Sequence, residues 1–282
     1  LAQALGDVQG IDIGQGTGKT GGLNISIRGM ESKYTLILID GRRQNAAGNI
    51  TPNGFGETST SFMPPLSAIE RIEVIRGPMS TLYGSDAMGG VINIITRKVG
   101  KEWGGSFTQD YTYQEDRDFG DTRNTSVYAS GPLIDGLLGL QVRGSLFNRE
   151  ESDLTYGNGI EVSKRGPSPV EGRNSNVGAR LSFTPHENHD FGLDVERNDS
   201  GIPGTLIGDD RDLETTNLVF DTKLVAPIGD SHIATVGGQW WKAEMTDGIA
   251  LDDFEQKTWA MFAEDEWRLR DDLALTLGAR YD

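Results

Sequence analysis

After Lys101, hydrophobic and polar positions alternate with a period of two over most of the chain. Trp103, Gly105, Phe107, Gln109, Tyr111 and Tyr113 fall on one side of an extended backbone. Gly104, Ser106, Thr108, Asp110, Thr112 and Gln114 fall on the other. The same split sets Leu138, Leu140, Val142, Gly144 and Leu146 against Gly139, Gln141, Arg143, Ser145 and Arg149. It sets Val177, Ala179, Leu181 and Phe183 against Arg180, Ser182 and Thr184, and Phe191, Leu193 and Val195 against Asp190, Asp194 and Glu196. Near the end, Leu273, Leu275, Leu277, Ala279 and Tyr281 oppose Thr276, Arg280 and Asp282. Successive strand side chains point to opposite sides, so these runs predict strands with one apolar and one polar face. In 232–243 and 258–269 the assignment of faces is ambiguous.

The connectors alternate too. Short ones lie at 131–136, 185–189, 227–230 and 270–272, and longer ones at 115–121, 151–174, 198–213 and 245–255. Short turns taking turns with long loops predict an antiparallel meander of about nine strands whose two ends face different compartments. A soluble sandwich has no reason to sort its loops this way.

The first hundred residues read differently. Short β runs at Asn24–Ile27, Thr35–Ile39, Arg71–Arg76 and Val91–Thr96 are separated by long Gly/Asn/Thr loops, the pattern of a small α+β domain. The expected organisation is therefore an α+β domain at 1–100 followed by a β-meander at 101–282. The run "IERIEVIR" (Ile69–Arg76) poses a problem, because Glu73 and Arg76 sit inside an otherwise hydrophobic strand and charged groups enter a sheet only with partners.

Composition narrows the function. No apolar run approaches the ~18–20 residues of a membrane helix, and "YTLILID" (Tyr34–Asp40) is the strongest. Membrane-crossing strands of ~10 alternating residues stay open. The 38 glycines exceed the average share of about 7% and fit many turns. There is no Cys, so neither disulfides nor thiolate metal sites hold the fold. A net charge of -16 argues against nucleic acid as a partner. "LAQALGDVQG" has neither the basic start nor the apolar stretch of a signal peptide.

Three apparent motifs carry no chemistry. "GQGTGKTGG" (Gly14–Gly22) misses the phosphate-binding pattern, since Ile13 stands where the first Gly belongs and Gly21-Gly22 opposes a helix start. His186 and His189 share a short turn with no third ligand nearby, and with only His232 besides, neither zinc nor a hydrolytic triad is supported. The acidic groups Asp209-Asp210-Asp212, Asp252-Asp253 and Glu264-Asp265-Glu266 lack calcium-loop spacing; solvated charge is their plain reading, with calcium bridging to lipopolysaccharide the alternative. The loop from Gly41 to Pro65 is different, being long for a compact domain and therefore a functional candidate. Arg42 and Arg43 there suit an anionic ligand and Phe55 an aromatic one.

"SIRGM" (Ser26–Met30), "YTLILIDGRRQ" (Tyr34–Gln44) and "IERIEVIRGPMSTLYGSDAMGGVINIITRK" (Ile69–Lys98) resemble, in order and spacing, the plug of TonB-dependent outer-membrane receptors. "TPNGF" (Thr51–Phe55), "FMPPL" (Phe62–Leu66) and "FAEDEW" (Phe262–Trp267) are similar to the branch of that family typified by the colicin I receptor, which takes catecholate siderophores. The resemblance implies a transmembrane β-barrel of about 22 strands closed by an N-terminal α+β plug, of which this chain carries part. It places the energy-coupling box and first plug strand before Leu1 and further barrel strands after Asp282, and it makes 198–212 short by roughly one strand pair.

The resemblance implies active uptake of ferric siderophores, without enzymatic chemistry or a cofactor of the protein's own, since iron arrives inside its chelator. Implied partners are the siderophore, the energy-coupling protein TonB, outer-membrane lipid and lipopolysaccharide, with colicins or phage as parasitic users. Ligand contacts are expected from Lys19, Arg42, Arg43, Gln44, Asn49, Phe55 and Tyr83 on the plug's apical loops. A plug–barrel latch is expected from Arg28 and Arg76 meeting carboxylates of the barrel wall beyond Asp282, while Glu73 pairs with Arg71 or Arg76. Other cargoes (cobalamin or a hydroxamate siderophore) and a passive porin or adhesin remain open.

Overall fold

"TLILI" is apolar at every position, which in a strand means cover on both faces. The computed structural model, which describes residues 5–14, 24–43, 63–76, 88–162, 170–186, 189–202, 213–247, 253–270 and 272–281, has this run as a fully buried strand. The elements before Gly100 are β1 (Ile11–Gly14), β2 (Asn24–Ile27), β3 (Thr35–Ile39), β4 (Arg42–Arg43), β5 (Ile69–Arg76) and β6 (Gly90–Thr96). β1 and β2 form an antiparallel pair, and the other four form a mixed sheet in the order β4-β3-β6-β5. Ile37, Ile39, Ile92 and Ile94 join Ile11, Ile25, Ile27 and Ile69 in one core, while Leu36, Leu38 and Val91 make a second. Each buried Ile or Leu contributes about 1.5–3 kcal/mol, so this short unit rests chiefly on its central strands β3 and β6.

The charged strand finds its explanation in its position. β5 is a sheet edge, and Arg71 donates to Glu70 at 2.9 Å and Glu73 at 2.8 Å along its exposed side. Charged side chains on an edge deter pairing with another chain, whereas exposed ion pairs add little stability. Gly90 begins β6 at φ 148°, where a Cβ would lie 2.5 Å from the carbonyl oxygen of Ile75 and 2.9 Å from Ile27 Cδ1. Only a residue without a side chain allows β5 and β2 to close over it.

Nine further strands follow: β7 (Gly104–Thr112), β8 (Thr122–Ile134), β9 (Leu138–Arg149), β10 (Gly172–His186), β11 (His189–Ile202), β12 (Leu213–Ile228), β13 (His232–Asp247), β14 (Phe254–Arg270) and β15 (Leu273–Tyr281). They form one sheet in sequence order, every pair antiparallel, with β7 and β15 at its edges among the described residues. The predicted alternation holds in the reverse sense of a soluble protein. Phe107, Val127, Val142, Val177, Phe191, Phe220 and Val236 are exposed, while Ser130, Gln141, Arg143, Asn176, Asp194, Glu196 and Asn217 are buried. An apolar outside and polar inside is what a membrane-crossing sheet requires. The ambiguous stretches resolve as β13 and β14. Trp240 opposes Trp259 on the outer face, and Gln239 opposes Ala260 on the inner one.

Candidate functional site: a plug seated on a polar wall

The sheet registers line the inner polar residues up in rows that cross the strands. One row runs Ser130, Gln141, Arg180, Asp194, Asp221 and Gln239; the next runs Tyr128, Arg143, Gly178 and Glu196. Gly178 explains how the second row works. A Cβ there would lie 2.8 Å from the guanidinium carbon of Arg143, so the glycine leaves β10 open for Arg143 to lie across it. Arg143 thereby reaches β11, donating from Nη2 to Asp194 Oδ1 at 2.8 Å and to Glu196 Oε2 at 2.5 Å, and from Nη1 to Asp194 Oδ2 at 3.3 Å. Glu196 Oε1 also accepts from Asn176 and Asn198, each at 3.0 Å. The three charged side chains are almost wholly buried, and burial of charge is tolerable only with this degree of pairing.

The first row carries the junction with the plug. Arg180 donates from Nε to Asp194 Oδ2 at 2.9 Å, from Nη1 to Thr96 Oγ1 at 2.7 Å, and from Nη2 to Asp40 Oδ2. One guanidinium thus spans the wall, through Asp194, and two plug strands, through Asp40 and Thr96. Asp40 and Gly41 have φ 52° and 81° and form the two-residue turn that pairs Ile39 with Arg42. Asp tolerates this left-handed geometry and Gly prefers it, which makes Asp-Gly a natural hairpin turn. The turn is held by Asp40 N–H on the Ile94 carbonyl at 2.9 Å and Gly41 N–H on Asn93 Oδ1 at 3.0 Å. Thr96 donates its N–H to Asp40 Oδ1 at 2.8 Å and its hydroxyl to Asp40 Oδ2 at 2.7 Å. Burial works against the charge on Asp40, yet the Arg180 guanidinium and the hydrogen bonds from Arg180 and Thr96 outweigh it and hold the carboxyl below its ordinary value.

On the ligand side, the backbone of Arg42 and Arg43 forms β4 immediately after that turn. Their side chains, and all of Lys19, Gln44, Asn49, Phe55 and Tyr83, lie outside the described residues. The structure does not bring the three expected latch residues together. Glu73 accepts from Arg71 Nε at 2.8 Å and from Asn93 Nδ2 at 3.5 Å. Arg28, at φ 54°, turns the chain after β2 by donating its N–H to the Gly10 carbonyl at 2.8 Å, and its side chain is exposed. Arg76 pairs with Gly90 at the end of β5 and is likewise exposed. No carboxylate of the described residues meets either arginine. Sequence reasoning missed Asp40, Thr96 and Arg180 as a joined group, although Arg180 and Asp194 both stood on predicted polar faces.

At the long-loop end, buried Asp121 organises the connection between β7 and β8. It accepts from Tyr111 Oη and the Gln114 N–H at 2.8 Å each, and from Arg117 Nη1 at 3.3 Å. The backbone N–H of Gln114, with Tyr111 and Arg117 assisting, keeps its carboxyl below the ordinary value. The neighbouring loop is tied on by Glu150 N–H to the Asp121 carbonyl at 3.0 Å, Asp153 N–H to the Asp118 carbonyl at 2.8 Å and Gly120 N–H to Ser152 Oγ at 2.9 Å. The two loops therefore form one body.

A small mixed sheet docked by a partly buried ion pair onto the polar face of a membrane-type meander defines a plugged β-barrel. The chain belongs to the TonB-dependent receptor family: residues 1–91 match its TonB-dependent Receptor Plug Domain and 79–282 match TonB dependent receptor-like, beta-barrel. Members of this family are transport receptors of the bacterial outer membrane, which is where the chain resides. It is 36% identical to an iron-regulated outer membrane virulence protein of Vibrio cholerae over 100% of this chain and 49% of that protein. It is 44% identical to the ferrienterobactin receptor of Escherichia coli K12 over 39% of this chain and 15% of the relative. The crystal structure of the siderophore receptor PirA from Acinetobacter baumannii superposes with a TM-score of 0.59 at 24% identity, covering 96% of this chain and 52% of PirA, a likeness of fold. The chain spans about half the length of the Vibrio relative.

Proposed function

We propose that the protein to which this chain belongs is an active receptor that takes up ferric siderophores, of the catecholate class, across the outer membrane. The observation that carries the reading is the plug sheet held against the polar inner wall by Arg180, an arrangement suited to a gated passage rather than an open pore. The name of the Escherichia coli relative, a receptor for the catecholate chelate ferrienterobactin, supports the cargo. The work is binding followed by rearrangement of the plug, with no bond of the cargo made or broken by the protein and no cofactor of its own; iron enters inside its chelator. Lys19, Arg42, Arg43, Gln44 and Asn49 provide cationic and hydrogen-bonding groups for the anionic complex, and Phe55 and Tyr83 stack on its rings. TonB supplies the pull, and lipid and lipopolysaccharide surround the apolar face. Arg28 and Arg76 serve as further plug anchors to the wall, while Glu73 is engaged by Arg71.

The test is uptake of radiolabelled ferric enterobactin by iron-starved cells carrying the full-length receptor, with and without TonB, and with a ferric hydroxamate as competing cargo. TonB-dependent uptake of the catecholate alone is expected. Equal uptake in both strains would make the protein a passive pore, and preference for the hydroxamate would reassign the cargo.

A further inference from the structure

We propose that the Asp40–Arg180 junction is a latch built to be opened and reclosed, because each partner retains a second polar partner on its own side when the two separate. A buried ion pair that loses one member normally leaves an uncompensated charge, and that penalty makes separation expensive. Here the penalty is reduced on both sides. When the plug withdraws, Arg180 keeps Asp194 at 2.9 Å on the wall. The ion-paired wall groups Arg143, Arg180, Asp194 and Glu196 then carry two positive and two negative charges, with the Asp221 carboxylate opposite Asp194 in the same row. On the plug, Asp40 keeps the N–H and hydroxyl of Thr96 at 2.8 and 2.7 Å, both from strand β6 beside it. The plug carries an intact Asp40–Thr96 pair in and out, and the wall holds its arginine in position between events. Asp194 is therefore a positioning residue whose role is the reverse of an anchor: by sharing Arg180 it weakens the grip on Asp40.

The location gives the latch a task. Asp40 is the first residue of the turn that leads into Arg42 and Arg43, so the clamp holds the root of the segment assigned above to the ligand. The latch rests on the plug moving against the wall and not on the identity of the cargo, so the two readings fail separately.

Amide hydrogen exchange on the purified full-length receptor, without siderophore, tests it, reading segments 36–41 and 91–96 for the plug and β9–β11 for the wall. Arg180→Met is expected to speed exchange in both plug segments about tenfold, the size typical of coupled neighbours, with a smaller acceleration in β9–β11, where Asp194 loses Arg180 but keeps Arg143. Arg180→Lys, which keeps the charge but loses the fork, is expected between Met and the native residue. Asp194→Asn leaves Asp40 as the one carboxylate on Arg180 among the described residues and is expected to slow plug exchange several-fold below the native rate. Native rates in Arg180→Met would overturn the latch. So would Asp194→Asn exchange as fast as or faster than native, or acceleration in β9–β11 equal to that in the plug.

Discussion

Gly178 matters for what lies across it. The Arg143 guanidinium occupies the space a side chain would take and bridges β9 to the two carboxylates of β11. Gly178→Val is expected to push Arg143 off Asp194 and Glu196, leaving buried Glu196 without its cation and Asp194 with Arg180 alone. The full-length receptor should lose about 3–5 kcal/mol on that account, as for other buried pairs that lose a member. Urea unfolding in lipid vesicles measures this. Arg143→Met in the same background should add much less than its cost alone, because both changes remove one interaction.

Among the elements, β6 is the plug's hinge of stability, since it pairs with β3 on one side and β5 on the other. Gly90→Ala places a methyl 2.5 Å from the Ile75 carbonyl in a backbone conformation that alanine resists, and is expected to separate β5 from β6. Faster proteolysis between 63 and 76, with the nine-stranded sheet still resistant, is the expected result; equal resistance of both would show that the edge strand can yield. The strands themselves were legible in the sequence. Alternation such as Val177-Ala179-Leu181-Phe183 is a local signal, and the sorted loop lengths fixed the meander. Charged β5 was misleading because its run looks like a core strand, whereas edge position is a property of the whole sheet. The Asp40–Arg180 junction was illegible for the same kind of reason: its partners are 140 residues apart, and alternation sets Arg180 on the polar face without showing what it meets there. On the ligand side, Arg42, Arg43 and Phe55 stood out by loop length and side-chain chemistry, whereas Lys19, Gln44, Asn49 and Tyr83 came with the family resemblance.

At the scale of the molecule, the plug meets the wall through charge, while the two loops above β7–β9 meet each other through Asp121. Asp121→Ala removes the carboxylate that ties Tyr111, Gln114 and Arg117 together, and is expected to loosen the 113–121 segment, and through it the bonded 150–153 segment, while leaving the plug untouched. Limited proteolysis of intact cells should then cut at these loops, with exchange in 36–41 at the native rate. If the plug exchanged faster as well, the loops and the plug would share one cooperative unit.

The aromatic pairs of β13 and β14 provide a ruler for this molecule. Trp240 faces Trp259 on the outer side, and eight residues away the His232 ring stacks on Trp267, 5.4 Å between centroids. Eight residues span about 27 Å along a strand and about 20 Å vertically at the usual tilt, close to the apolar band of an outer membrane with its flanking aromatic girdles. Just above Trp240 and Trp259 the outer surface turns ionic, with Lys242 bonded to Glu244 at 2.5 Å and to Glu255 at 3.2 Å and Lys257 to Glu255 at 2.6 Å. The membrane ends there, but β13 continues to Asp247, about 18 Å further in height by the same tilt. Whatever arrives from outside therefore meets these strand tips before it reaches the bilayer.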